Sequence, residues 1–324
     1  MAQEEHGRIS EAMAVRIGSL NNMDAEKQLK DADIVKAELL VKSIKIPAQP
    51  KAVLAITKEM QRPDPNFKTI SRLISEDLAL SAKVLRVVNS PFYGLPRRVD
   101  SIQHAFTLLG LRTFHRVILT GVLHDLLVSK GDKAHMEALE QFWSYSLIVA
   151  KIAEFLAVRN PSYINIVSGD HAYLAGLFHD CAVPLFIGKH GDYQEKIAIV
   201  KQANGQIFAF EEQSYGGNHG AIGYLMAKSW QLPDPICQAI RFHHQFRLES
   251  QDIDEMAVLD VLPVFEILRL ASFLGEGVLI SKGFELACCY ASDEEFLQHV
   301  NMTPSELSAL RQEVVDCVSL NTQF

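Results

Sequence analysis

The chain has 324 residues, of which 48% are hydrophobic and 22% are charged, and its formal net charge is −8. This size and composition predict a soluble protein of one or two domains with a sizeable core, and the negative charge excludes a general nucleic-acid-binding surface. No uninterrupted apolar run reaches the roughly 18 to 20 residues of a membrane-spanning helix, and the start of the chain is acidic, unlike a signal sequence. We therefore expect a cytoplasmic protein without membrane insertion. The five cysteines show no Cys-x-x-Cys spacing, which indicates reduced thiols and argues against disulfides or a thiolate zinc site.

Apolar residues recur at helical spacing through almost the whole chain, whereas the period-2 alternation of strands is hard to find, so an all-α fold is predicted. Residues 1–42 are polar and weakly periodic, and we expect a leading helix or a loose arm there. The next helices are predicted at Ala52–Gln61, in the segment capped by Asn66, and from Ser101 to Gly110, where the glycine ends the helix.

Further helices are predicted downstream at Phe142–Ala157, Ala172–Phe186, Tyr193–Ala203, Ala221–Ser229 and Val261–Leu274, with a short one from Pro235 capped by Asp234. A final helix begins at a capping box, Thr303-Pro304-Ser305-Glu306, with proline at its first position. Its apolar stripe must be covered, and packing on the chain's own preceding domain is favoured over a dimer or partner interface. The stripe consists of Leu307, Leu310, Val314 and Val318.

Five residues are candidate metal ligands. His179 and Asp180 are adjacent on a predicted apolar helix, where they offer one ion a nitrogen and an oxygen ligand. His219 and the doublet His243-His244 follow at separations that different helices could bring together.

Each of these residues also has a structural interpretation. His179 can be a hydrogen-bonded core histidine with Asp180 as its partner, and His219 can cap the helix that begins at Ala221. A second adjacent pair, His124-Asp125, is interpreted as the polar edge of an apolar helix.

The order His-Asp, His, His-His resembles the HD superfamily of metal-dependent phosphohydrolases. That superfamily also uses an earlier histidine and a late aspartate, and at the corresponding positions this chain has Tyr145 and Ser272. Because neutral hydroxyl groups are poor ligands for divalent metals, the resemblance implies a site that has lost two ligands. The HD enzymes usually continue after the pair with an Ile-Gly-Lys type sequence, whereas this chain continues Cys181-Ala182-Val183-Pro184, and Pro184 is expected to kink the helix.

A narrower resemblance rests on the order of several motifs along residues 43–246. They are Ile46-Pro47-Ala48-Gln49-Pro50, the run from Ile74 to Ser90, Pro91-Phe92-Tyr93-Gly94, Ala105-Phe106-Thr107-Leu108-Leu109-Gly110-Leu111, Gly176 to Asp180, His219-Gly220-Ala221-Ile222-Gly223 and His243-His244. Together they resemble the HDOD family, the HD-related output domains of bacterial signalling proteins.

The HDOD resemblance implies an N-terminal helical bundle packed against an HD-like helical bundle. The expected divisions are an arm at 1–42, an N-terminal subdomain at 43–130, an HD-like subdomain at 131–246 and a helical C-terminal extension at 247–324. We expect Phe92, with Leu111, Phe114 and Ile118, to pack between the two bundles.

The resemblance also implies a regulatory, non-catalytic protein that acts through contacts with other signalling proteins, with a homo-oligomer left open. No cofactor is expected beyond a weakly bound divalent metal ion at the incomplete site. Two alternatives stay open: a metal-dependent phosphohydrolase with a rearranged site, and a sensor that binds a nucleotide or another anion without turnover.

Overall fold

The computed structural model of the protein describes residues 32–44, 47, 49–90, 93, 95, 97–128, 133–159, 167–202, 206–245, 248, 255–281, 293–300 and 302–319. Within these residues every regular element is a helix, which confirms the all-α prediction. Phe92 lies outside the described residues, so its predicted packing between the bundles is not described.

The first helices are, in chain order, α1 Ala32–Ile44, α2 Lys51–Met60, α3 Phe67–Ser75, α4 Leu78–Val88 and α5 Ile102–Val128. Asn66 caps α3 as predicted, because its side-chain oxygen accepts a hydrogen bond from the backbone N–H of Thr69 at 3.2 Å. Asp77 caps α4 in the same way, accepting from the N–H of Leu80 at 3.0 Å.

A break at Gly110 divides α5 into two helical segments. Gly110 has φ 71° and ψ 169°, a conformation that favours glycine, and the predicted helix end at this residue is confirmed. By length and composition alone, α5 is the one helix of the described residues that could cross a bilayer. The core helix of a soluble protein passes the same test, and Phe114, Val117 and Ile118 of α5 are buried in the protein core.

The next two helices, α6 Lys133–Arg159 and α7 Gly169–Phe178, lie in close contact. A Cβ atom added to Gly176 of α7 would lie 2.6 Å from the Cα atom of Ala150 on α6. Only glycine therefore lets the two helix backbones approach this closely.

The prediction of one helix over Ala172–Phe186 is wrong. Helix α7 ends at Phe178, and a turn at residues 179–182 follows, with the N–H of Cys181 bonded to the carbonyl of Phe178 at 3.0 Å. Pro184 then lies in the first turn of the next helix, where its missing N–H leaves no hydrogen bond unmade. The proline therefore helps to begin a new helix and does not kink an existing one.

The helices that follow are α8 Val183–Lys189, α9 Tyr193–Gln202, α10 Ile207–Tyr215, α11 His219–Ser229 and α12 Asp234–Phe242. Helix α10 was not predicted from the sequence. Asn218, and not His219, caps α11, since its side-chain oxygen accepts from the N–H of Ala221 at 2.8 Å. Asp234 is the first residue of α12, where its side chain bonds to Lys228 and does not cap the helix.

The last helices are α13 Glu255–Ser281, α14 Asp293–His299 and α15 Pro304–Ser319. The predicted capping box is confirmed, because the N–H of Thr303 bonds to the Glu306 carboxylate at 2.8 Å and the N–H of Glu306 bonds to the Thr303 hydroxyl at 3.3 Å. Leu307, Val314 and Val318 are buried on α15, which contacts α6 and α13. The stripe therefore packs on the chain itself, as predicted.

Candidate metal centre

Four side chains from three parts of the helical fold converge on one point. Asp180 lies in the turn after α7, His219 begins α11, and His243 and His244 directly follow α12. One ligand atom from each lies within 4.8 Å of the ligand atoms of the other three. We call these four residues the His-Asp cluster.

The distances within the His-Asp cluster are short. Asp180 Oδ1 lies 3.0 Å from His243 Nε2 and 3.3 Å from His219 Nε2, and His219 Nε2 lies 2.9 Å from His244 Nε2. His179 contacts the same carboxylate from its other side, with Nε2 at 3.2 Å from Asp180 Oδ2. The structure thus brings together all five of the candidate ligands.

Backbone carbonyl groups orient two of the imidazole rings. His179 Nδ1 donates to the carbonyl of Gly176 and His243 Nδ1 donates to the carbonyl of Ile240, each at 2.7 Å. Both carbonyls lie three residues earlier at a helix end, where the last carbonyl groups have no partner within the helix. With Nδ1 used as the donor, each ring directs Nε2 towards Asp180.

Glu211 orients the third ring, although no sequence motif marks this residue. This carboxylate is completely buried, and it accepts hydrogen bonds from His219 Nδ1 at 2.7 Å and from the His219 backbone N–H at 2.8 Å. It also accepts a short hydrogen bond from the hydroxyl of Tyr193, which is itself buried. Glu211 therefore fixes the orientation of the His219 ring with Nε2 towards the cluster, which is the role that carboxylates play behind metal-bound histidines.

The pKa values of the residues in the His-Asp cluster are shifted in different directions. Burial raises the pKa of Asp180, but the neighbouring charge of His179 and hydrogen bonds from His179, His219 and His243 outweigh it and hold that pKa well below the usual range. Burial lowers the pKa of His219, yet the charge of Glu211 and the bonds to Asp180 and Glu211 raise it to about 10. Burial lowers the pKa of His243 and lowers that of His244 further.

Tyr145 and Ser272, which the HD resemblance predicts to stand at lost-ligand positions, meet next to His179. The Tyr145 hydroxyl lies 2.7 Å from the Ser272 hydroxyl, and both residues are buried. The Tyr145 ring packs edge-on against the His179 ring, with 5.4 Å between ring centres. Tyr145 and Ser272 thus adjoin His179 and are not members of the His-Asp cluster.

One aromatic side chain packs against all three imidazole rings of the His-Asp cluster. Phe208 of α10 packs edge-on against the rings of His219, His243 and His244, with ring centres 4.9, 5.6 and 4.6 Å away. The side chain of Asp180 keeps 13% of its surface accessible, and those of His219 and His243 keep 3% and 1%. His219 and His243 are therefore closed to a second molecule, whereas Asp180 and His244 are partly accessible.

The donor set fits a divalent transition metal. Three imidazole nitrogens and one carboxylate oxygen suit zinc and similar ions, whose ligand atoms stand about 3.4 Å apart in a tetrahedral site. The geometry supports the fit, because Asp180 Oδ1 lies 3.0 Å from His243 Nε2 and 3.3 Å from His219 Nε2. His243 uses its Nδ1 N–H on the carbonyl of Ile240, which leaves Nε2 directed at the Asp180 carboxylate. These atoms could hold one cation between them.

His124 and Asp125 lie away from this centre, on α5. His124 Nδ1 is 3.3 Å from Asp125 Oδ1, and Asp125 forms an ion pair with Lys83 at 3.0 Å. The side chains of all three residues are about one third accessible, which agrees with the interpretation as the polar edge of an apolar helix.

The sequence is similar to that of a curated protein. A protein of Treponema pallidum (strain Nichols) is 27% identical over 200 residues, which are 61% of this chain and 37% of that protein. This chain therefore spans well under half the length of that curated relative.

Among solved structures, an HDOD domain protein of unknown function from Geobacter sulfurreducens has a TM-score of 0.64 at 23% identity, covering 91% of this chain and 99% of its own. A candidate signal transduction protein from Marinobacter aquaeolei VT8 has a TM-score of 0.62 at 18% identity, covering 87% of this chain and 60% of its own. A candidate phosphohydrolase from Shewanella amazonensis SB2B has a TM-score of 0.60 at 20% identity, covering 86% and 93%. These three similarities show a shared fold. The HDOD domain model matches residues 46–246, which is more than half of the sequence, and the chain belongs to the HDOD domain family.

Proposed function

We propose that this chain is a cytosolic, non-catalytic regulatory protein of bacterial signal transduction. In this proposal the HD-type site is a closed centre that holds the fold of the HD-like bundle and can take one divalent metal ion, and the protein acts through contacts with other signalling proteins or a second copy of itself. The relationship of the HDOD domain to the HD phosphohydrolases and the fold shared with a candidate signal transduction protein agree with this proposal.

The observation that carries the proposal is the number of protein ligands at the site. Asp180, His219, His243 and His244 supply four ligand atoms, and four protein ligands complete a tetrahedral site. Catalytic metal sites keep one position open for water or substrate, whereas structural sites are closed. The packing of Phe208 across three of the imidazole rings supports the closed assignment.

The lost ligand positions support the same conclusion. Tyr145 and Ser272 satisfy each other by a hydrogen bond of 2.7 Å, so neither supplies the nitrogen or carboxylate that a further ion beside His179 would need. Without such an ion or an activated water, the protein lacks the means to stabilise the charge that develops at a phosphoryl group.

The test is a hydrolysis assay of the purified full chain with Zn²⁺, Mn²⁺ or Mg²⁺ on phosphomonoesters, nucleotides and cyclic dinucleotides. We expect no phosphate or nucleotide product above the level given by the Asp180→Asn variant. Turnover by the wild-type protein that Asp180→Asn abolishes would contradict the proposal.

A single-ion phosphohydrolase is the second candidate function. The observation that favours it is the 13% accessibility of the Asp180 side chain, which gives the cluster one edge open to solvent. Nucleotide binding without turnover in the same assay would instead support an anion sensor.

A further inference from the structure

Helix α1 precedes the segment that matches the HDOD model and contacts the HD-like bundle. Asp33 of α1 binds Arg241 of α12 through two hydrogen bonds, one of them 2.9 Å long between Oδ2 and Nε. The Arg241 side chain is 5% accessible, and its guanidinium group lies 4.7 Å from the centre of the Phe242 ring. Because Arg241 is buried, removing the Asp33 carboxylate would leave its charge without this partner, which is costly.

A second contact joins α1 to the turn that leads into α11. Ala37 is completely buried, and a Cβ atom added to Gly217 would lie 3.7 Å from its Cα atom and 3.2 Å from Leu40 Cδ2. Lys36 forms an ion pair with Glu212 at 2.8 Å at the edge of the same contact. The backbone of α1 therefore lies directly against this turn.

Both contacts reach segments that carry ligands of the His-Asp cluster. Arg241 lies two residues before His243 on the same stretch of backbone, and Gly217 lies two residues before His219. Glu212, the partner of Lys36, directly follows Glu211, which orients His219. A displacement of α1 would thus release the segments of His219 and His243 at the same time.

We propose that docking of α1 regulates the His-Asp cluster: the docked helix favours the arrangement of His219 and His243 that holds a metal ion, and its displacement weakens metal binding. This inference rests on the proposed function, in which the cluster is a metal-holding centre and not a catalyst. Thermodynamic linkage makes the effect reciprocal, so metal binding must stabilise the docked helix by the same free energy.

The experiment compares two charge-removing variants of the full chain. Asp33→Asn removes the carboxylate that binds Arg241, and Glu38→Gln is the matched control on the exposed side of α1. Ala37→Leu serves as a second displacing variant, because it places a larger side chain against Gly217. Calorimetry measures Zn²⁺ affinity, and hydrogen exchange read by mass spectrometry measures protection of residues 32–44 with and without Zn²⁺.

We expect Asp33→Asn and Ala37→Leu to speed exchange in residues 32–44 and to weaken Zn²⁺ binding by about tenfold. Glu38→Gln should behave as the wild type, and Zn²⁺ should slow exchange of residues 32–44 in the wild type but not in Asp180→Asn.

Faster exchange with unchanged Zn²⁺ affinity would overturn the inference and leave α1 as a structural helix. The inference also fails if neither displacing variant speeds exchange, or if the wild-type chain binds no Zn²⁺. Hydrolysis by the metal-loaded wild type would contradict the proposed function, and the Zn²⁺ affinities of the variants would still decide the role of α1.

Discussion

Glu211→Gln tests whether the buried carboxylate and His219 form a charged pair. Glutamine keeps the size of the side chain but removes the charge that accepts from His219 Nδ1, His219 N–H and the Tyr193 hydroxyl. Removing one member of a buried ion pair costs about 3 to 5 kcal/mol, and we expect the lower end because the amide oxygen can still accept a hydrogen bond. The free energy of unfolding should therefore fall by about 3 kcal/mol.

The assay is urea unfolding in the presence of a metal chelator, with Glu212→Gln as the matched control. Glu212 is the next residue, but its ion pair with Lys36 is partly exposed, so its loss should cost about 0 to 1 kcal/mol. The pKa of His219 is raised to about 10 in the folded protein, from an unfolded-state value of 6.5. The stabilisation that charged His219 gives is therefore fully present below pH 6.5 and declines as the pH rises towards 10. The difference in free energy of unfolding between the wild type and Glu211→Gln should shrink over that same pH range.

Equal losses of stability in Glu211→Gln and Glu212→Gln would refute the buried pair. If the difference in free energy of unfolding stays constant between pH 6.5 and 10, His219 is neutral in the folded protein. Its ring would then not be held by attraction between opposite charges.

Three further variants test the close contact of α6 with α7 and the roles of Tyr145 and Ser272. Gly176→Ala should destabilise the protein by about 3 kcal/mol in urea unfolding, because the new methyl group meets the backbone of Ala150, whereas Gly191→Ala, with no atom within 4 Å, should cost less than about 1 kcal/mol. Tyr145→Phe should lower the free energy of unfolding by about 1 to 2 kcal/mol, because the hydrogen bond to Ser272 is lost. Calorimetry should show an unchanged metal affinity, because Tyr145 is not a member of the His-Asp cluster. Tyr145→His combined with Ser272→Asp should add metal-binding capacity beside His179, and metal analysis that shows no gain would contradict the assignment of these two positions.

Most residues of the site could be predicted from the sequence, because the residue types that bind metals and the spacing of helices can both be recognised locally. His179-Asp180, His219 and His243-His244 stand out by residue type alone, and the capping box at Thr303 marks a helix start whatever surrounds it. The break after Phe178 was missed because the residues on either side of it are apolar, and a turn between two buried helices leaves the apolar pattern unchanged.

Glu211 could not be found by the same reasoning. It lies beside Glu212 in a short helix, and only the rotation of that helix decides which carboxylate is buried against His219 and which one faces Lys36. That rotation depends on the docking of α10, which is a tertiary effect. An aromatic residue at position 208 likewise gives no sequence signal for its place over three imidazole rings.

The closed coordination of the His-Asp cluster is tested most directly by the absorption spectrum of the Co²⁺-loaded full chain, recorded before and after addition of inorganic phosphate. Four protein ligands predict the intense spectrum of a four-coordinate Co²⁺ ion, unchanged by phosphate, and its loss in Asp180→Asn. A weak spectrum typical of higher coordination, or one that shifts as phosphate binds to the ion, would contradict a closed centre and favour the phosphohydrolase.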